Sequence, residues 1–237
     1  MKLICIFTFL VFIFTTANAT TTRWNLLETK YDRIFYPSTH QDMAIEVANY
    51  LKKNRDRVLH LSGKDKPYPI YFVLQDIGMI SNGASYILDN KIILFTPAPG
   101  SLLGETFDYN WLETVSTHEL FHNYHFYNMR GGINKVIQTL IGNFSPHIFM
   151  PPSLYEGLAT YQESQLNPFQ GRLNSGLYDA YLLTRAKESK LVTFTQTNKM
   201  TRHFPHGQHY IYGSGFIRYL SETYSEKSLT TFLNNYS

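Results

Sequence analysis

Two hydrophobic rhythms divide the chain. From Trp24 to Tyr36 apolar and polar residues alternate loosely, which predicts one or two strands with Lys30 and Asp32 on the outer face. The rhythm then changes. Ala44, Val47, Ala48 and Leu51 recur at three- and four-residue spacing, so a helix is expected from about Thr39 to Leu59, capped by Thr39 or Ser38. Pro69-Ile70-Tyr71-Phe72-Val73-Leu74 is a continuous apolar run and predicts a buried strand. Tyr86-Ile87-Leu88 and Lys91-Ile92-Ile93-Leu94-Phe95 flank Asp89-Asn90, which predicts a hairpin with a two-residue turn. Pro97-Ala98-Pro99-Gly100 closes this sheet region.

The second half of the chain keeps the helical rhythm. Leu112, Val115 and Leu120 are helically spaced, and no Pro or Gly interrupts the segment from Asn110 until Gly131-Gly132. Further helices are expected over roughly Ile133 to Ile141, Leu154 to Glu163, Gly176 to Lys187 and Tyr210 to Tyr224. Pro151-Pro152-Ser153 reads as a stop followed by a helix-starting residue. The expected class is therefore α+β, with an N-terminal mixed sheet followed by a mainly helical C-terminal lobe. No internal repeat or low-complexity run is present.

The first residues read as a targeting segment. Lys2, the apolar stretch Leu3 to Phe14 and the small-x-small pattern Ala17-Asn18-Ala19 predict a signal peptide over residues 1–19, and residues 20–237 form one expected domain. An exported, periplasmic or secreted product follows. Cys5, the only cysteine, falls inside the segment to be removed, so a disulfide framework is not expected and stability must come from a packed core. No later segment is long and apolar enough to predict an integral membrane span. A formal charge of +3 is too small to argue for nucleic acid as a partner.

Candidate chemistry changes this picture at one place. The helical segment carries His118-Glu119-Leu120-Phe121-His122. Residues four apart share a helix face, so two neutral imidazoles could reach one Zn²⁺ while Glu119 points at a water on the metal. The competing reading is a pair of satisfied histidines on an ordinary helix. With nine His in the chain, such a short motif needs support from its surroundings. His125 lies on the same face, but seven helical residues rise about 10.5 Å, too far for one metal to bind all three imidazoles at bonds of about 2.0–2.1 Å. A carboxylate from a second helix is the better third ligand, and Glu156 stands near the start of the next expected helix.

That second segment reads Leu154-Tyr155-Glu156-Gly157-Leu158-Ala159-Thr160-Tyr161-Gln162-Glu163. Together with the His-Glu-x-x-His motif it resembles the gluzincin zinc metallopeptidases, in particular the peptidase MA-like domains. It matches their second block at Glu156, Gly157, Ala159, Tyr161 and Glu163, with Ser153 or Leu154 where an aromatic residue usually leads. A third block, Tyr210-Ile211-Tyr212-Gly213-Ser214-Gly215-Phe216, is similar to the Tyr-x-x-Gly-Phe segment that opens a C-terminal helix in that group. Gly171-Arg172 and a following helix with Tyr181, Leu182 and Arg185 also look like peptidase MA-like proteins that continue into a β-propeller, which this sequence lacks.

The resemblance implies a zincin-like fold whose edge strand borders the cleft. It makes His118, His122 and Glu156 the ligands of a Zn²⁺ cofactor and Glu119 the general base. It makes Tyr212 the hydroxyl that steadies the oxyanion, with Tyr210 and His209 as substitutes. Glu163 becomes either a partner for a ligand histidine or a surface carboxylate. The implied reaction is hydrolysis of a peptide or protein substrate by a metal-activated water. Related aminopeptidases hold the substrate amine with a Glu before the zinc helix, but Ser81-Asn82-Gly83-Ala84-Ser85-Tyr86 has none, which favours an endopeptidase. The alternative is a non-catalytic gluzincin-fold module for binding or envelope assembly.

Overall fold

The computed structural model describes residues 22–99, 110–128, 146–199 and 207–236, together with positions 132, 136 and 140. The expected signal peptide, including Cys5, lies outside the described residues, as does the expected helix over Ile133 to Ile141 apart from positions 136 and 140.

The alternating N-terminal segment folds as two antiparallel strands, β1 (Trp24–Glu28) and β2 (Asp32–Pro37). Asp32 is not on the outer face. It is 4% exposed and accepts two hydrogen bonds from Arg55 Nη2, at 2.5 and 2.6 Å. Period-two reading fails there because a tertiary partner, a buried guanidinium, satisfies a carboxylate that would otherwise have to face water.

Helix α1 (Gln41–Ser62) carries that arginine. The expected cap by Ser38 or Thr39 is not formed. A 3-10 turn, Ser38–His40, runs straight into the helix, and no side chain caps it. Its C-terminus closes on Gly63 in the left-handed region, with Lys64 N–H donating to Leu59 O at 3.1 Å.

The buried run becomes β3 (Ile70–Gln75), parallel to β2. Strands β4 (Gly83–Tyr86) and β5 (Lys91–Phe95) follow and pair antiparallel, while β5 is parallel to β3. The link between β4 and β5 is longer than expected. Tyr86 pairs with Lys91, and Ile87–Asp89 form a 3-10 turn before Asn90 at φ 51. The resulting five-stranded mixed sheet has the order β1-β2-β3-β5-β4, so β4 is an edge strand.

The motif segment forms α2 (Trp111–Phe126), with Asn110 as N-cap accepting from Glu113 N–H at 3.4 Å. Every residue from Leu112 to Phe126 is buried, so this helix is surrounded rather than amphipathic. It lies between α1, strands β4 and β5, and α3 (Pro152–Glu163). Helix α3 begins two residues before the expected Leu154, because Pro152 fits the first helical position, where its missing N–H costs nothing.

The remaining helices are α4 (Leu177–Lys187), the short α5 (Phe194–Thr197), α6 (Gln208–Tyr224) and α7 (Glu226–Tyr236). Helix α7 escapes the sequence pattern, which ends at Tyr224. Ser225, at φ 85, separates it from α6, and among its described side chains Leu229, Thr230 and Leu233 are the buried ones. The architecture is α+β, with seven α-helices among the described residues. None of the described helices is long and apolar enough to cross a membrane.

Among the described helices the most extensive packing is between α3 and α6, and two glycines let their backbones approach. A Cβ on Gly157 would come 2.8 Å from Gly213 Cα, and one on Gly213 would overlap the Ser153 carbonyl. Backbone therefore meets backbone at this crossing, which fixes how α6 sits over the start of α3.

Candidate metal centre

Helix geometry puts His118 and His122 one turn apart on the side of α2 that faces the first turn of α3. Their Nε2 atoms are 3.0 Å apart. Glu156 Oε2 lies 3.2 Å from His118 Nε2 and 3.0 Å from His122 Nε2. These three side chains form the described cluster that could hold a metal ion, with all ligand atoms within 4.8 Å of one another. The donor set and spacing fit Zn²⁺. Tetrahedral bonds of 2.0–2.1 Å would put neighbouring ligand atoms roughly 3.3 Å apart, close to the separations seen.

Electrostatics hold the same atoms together. Burial alone would raise the Glu156 carboxyl, but the charge of His122 and hydrogen bonds from both imidazoles keep it well below the ordinary carboxylate range. His118 shows the converse. Burial lowers it, yet the bonds to Glu156 and Glu163 raise it to about 9.

His118 Nδ1 faces Glu163 Oε2 at 2.7 Å. Glu163, 1% exposed, is thus the histidine's partner and not a surface carboxylate. Arg172 binds both of its oxygens, with Nε to Oε1 at 2.7 Å and Nη2 to Oε2 at 2.9 Å. Against burial, which would raise it, this charge lowers the Glu163 carboxyl to about 2.

The cluster opens into a cleft of about 590 Å³. Glu119 lines it, 6% exposed, and burial pushes its carboxyl upward. Edge strand β4 forms another part of the lining, packed against α2. A Cβ on Gly83 would come 2.6 Å from Glu119 Cγ and 2.7 Å from Val115 Cγ2, so only glycine lets the strand approach the helix this closely. Trp111, Phe126 and Tyr155 supply aromatic surface.

Tyr210, and not Tyr212, joins this lining. Its ring centroid is 6.4 Å from that of His118, and burial raises its phenol above the ordinary value. Tyr212 packs edge-on against Tyr181, with centroids 6.2 Å apart. Two residues on a helix differ by about 200° in direction, so the two tyrosines cannot both face the cleft. Gly213 decides which one does. It marks the side of α6 that touches α3, and Tyr210, three residues earlier, shares that side. The His209 ring lies tilted beside that of Tyr210, with centroids 4.3 Å apart, but is not among the lining residues. His125 is buried against His147, with ring centroids 4.4 Å apart, and stands outside the ligand cluster as its rise along the helix requires.

Sequence reasoning thus brought together His118, Glu119, His122 and Glu156. It gave Arg172 no part in the site, and the motif's spacing holds no signal for it. No family model and no solved structure matches this chain. Over 78 residues, a third of the chain, it is 32% identical to an uncharacterized protein of Treponema pallidum (strain Nichols), and this match spans 7% of that relative's length.

Proposed function

We propose that this chain is an exported zinc-dependent peptidase of gluzincin type, with a zincin-like fold. One observation carries the reading. Two imidazole nitrogens and a carboxylate oxygen converge at 3.0–3.2 Å from two buried helices, in a cleft whose wall also holds Glu119. Buried polar atoms at this density are otherwise costly. The antiparallel edge strand β4 beside α2 is the sheet arrangement such a fold requires.

His118, His122 and Glu156 would hold Zn²⁺, which when bound lowers the pKa of water and polarises a carbonyl. Glu119 takes the proton of the attacking water and delivers it to the leaving amine. Its burial suits this work, because a raised carboxyl is a stronger base toward the proton of the attacking water. Tyr210 donates from the cleft wall to the oxygen on which negative charge develops, the role first assigned to Tyr212. Among the described lining residues, the charged groups other than Glu119 are already paired in the His118, His122, Glu156, Glu163 and Arg172 cluster. Neutral Ser81, Asn82 and Ser85 fit the interior of a peptide better than a charged terminus, so an endopeptidase is favoured.

The test is zinc content together with turnover of an unstructured protein such as casein. One zinc per chain is expected, lost in Glu156→Ala. Glu119→Gln should keep the metal and lose hydrolysis by ~10²–10⁴-fold or more. Stoichiometric zinc without turnover in the wild type would favour the binding-module alternative. Undiminished hydrolysis in Glu119→Gln would sink the mechanism.

A further inference from the structure

Arg172 is neither a candidate ligand nor the general base, yet it touches Glu163, His118 and Tyr210. It enters from a 3-10 turn, Arg172–Ser175, that begins after Gly171 at φ 85. A Cβ on Gly171 would come 2.5 Å from Ser164 Cα, so glycine lets this turn close against the end of α3. The consequence is a two-sided grip on Glu163. Oε1 accepts from the Arg172 backbone N–H at 3.2 Å and from Nε at 2.7 Å, while Oε2 accepts from Nη2 at 2.9 Å.

A carboxylate offers about four acceptor positions. Three are taken by Arg172, and the fourth faces His118 Nδ1 at 2.7 Å. With no acidic proton needed on Glu163, Nδ1–H donates and the Nε2 lone pair is left for the metal. The separation of 3.1 Å between Arg172 Nη2 and His118 Nδ1 is then the approach of two donors to one shared oxygen, not a hydrogen bond between them. The other face of the guanidinium lies against Tyr210, its carbon 4.4 Å from the ring centroid.

We propose that Arg172 is a positioning residue of the metal centre: by occupying three of the four acceptor positions of Glu163 it fixes the ring orientation and tautomer of His118, and its open face seats Tyr210. The inference rests on the zinc reading given above. A lysine could not do the same, since one ammonium cannot span both carboxylate oxygens in a plane.

Zinc affinity, measured by chelator competition on the full chain, tests this independently of turnover. Partners of a ligand histidine typically contribute 10–100-fold to metal affinity. Arg172→Met should therefore weaken zinc binding by ~10–100-fold, with Arg172→Lys between it and the wild type. In a Glu163→Gln background, Arg172→Met should cause no further loss, because its influence passes through that carboxylate. A merely structural arginine would instead weaken binding equally in both backgrounds, and that result overturns the proposal. Wild-type zinc affinity in Arg172→Met does so too. If Arg172→Met does not fold, as judged by its circular dichroism, Arg172→Lys decides alone, and wild-type affinity there is again an overturning result. A wild-type chain that binds no zinc would instead strike the metal reading itself.

Discussion

Two arginines, Arg55 buried and Arg172 half-buried, each grip a buried carboxylate, and they do opposite things. Arg55 holds Asp32 from α1, and its Nη1 donates to the hydroxyl of Tyr124 on α2. That cluster ties strand β2 to two helices and closes on itself. Arg172 holds Glu163 in much the same way, but the chain of contacts continues through His118 to Nε2, which faces His122, Glu156 and the cleft. A closed polar network spends its hydrogen bonds on specifying the fold. One left open at a single atom can present that atom to a ligand in a fixed direction.

The comparison breaks most visibly at the closed end. Asp32→Ala leaves Arg55 buried without its counter-charge, which should cost about 3–5 kcal/mol of stability. Denaturant unfolding measures this, while the folded fraction should still bind one zinc. Loss of zinc binding from folded Asp32→Ala would show that the two clusters are not separate.

At the open end, Tyr210→Phe should lower kcat by ~10²–10³ with little change in KM, the usual cost of one oxyanion donor. Tyr212→Phe should turn over almost normally. The reverse result would return the proposed role to Tyr212 and mean that α6 turns when substrate binds.

Between the two lies the α3–α6 crossing. Gly213→Ala forces a methyl group into the Ser153 carbonyl, and overpacking of this kind costs about 1–3 kcal/mol. Because the strain falls where Tyr210 is seated, turnover should drop by more than zinc affinity does. Thermal unfolding and steady-state kinetics on one preparation would show both.

The effect that is smallest per step, one pH unit at a time, sharpens the electrostatics. His118 is raised to about 9, so without metal it is protonated at neutral pH, and zinc must displace that proton. Zinc affinity should therefore rise by about tenfold per pH unit between pH 6.5 and 9, then level off. The metal-free fold should respond in the opposite sense. A raised pKa contributes stability that is complete below the unfolded value near 6.5 and is lost as pH rises through about 9. Calorimetry in buffers of different ionisation enthalpy should detect the released proton.

Legibility followed the range of the interaction involved. The spacing of His118 and His122 is a property of one helix, so local geometry fixed their shared face. The α+β order was readable for a similar reason, since β3, β5 and α1 bury residues at the periods of their own backbones. Errors occurred where a partner distant in sequence satisfied a group that local rules place elsewhere. Asp32 was assigned to solvent because Arg55 cannot be seen from β2. Block alignment likewise does not read which side of α6 meets α3, and that side puts Tyr210 in the cleft lining and Tyr212 against Tyr181.

The sequence by itself determined the candidate donors and their spacing: two imidazoles four residues apart on a helix without breakers, Glu119 between them, and Glu156 near the start of another helix. Only the tertiary structure decided the rest. It brought Glu156 to within 3.2 Å of both imidazoles, turned Tyr210 into the cleft, and put Arg172 behind Glu163. The physical reason is that periodicity encodes which face of an element is apolar, whereas the crossing of α3 and α6 depends on backbone contact at Gly157 and Gly213, where neither residue has a side chain to announce it.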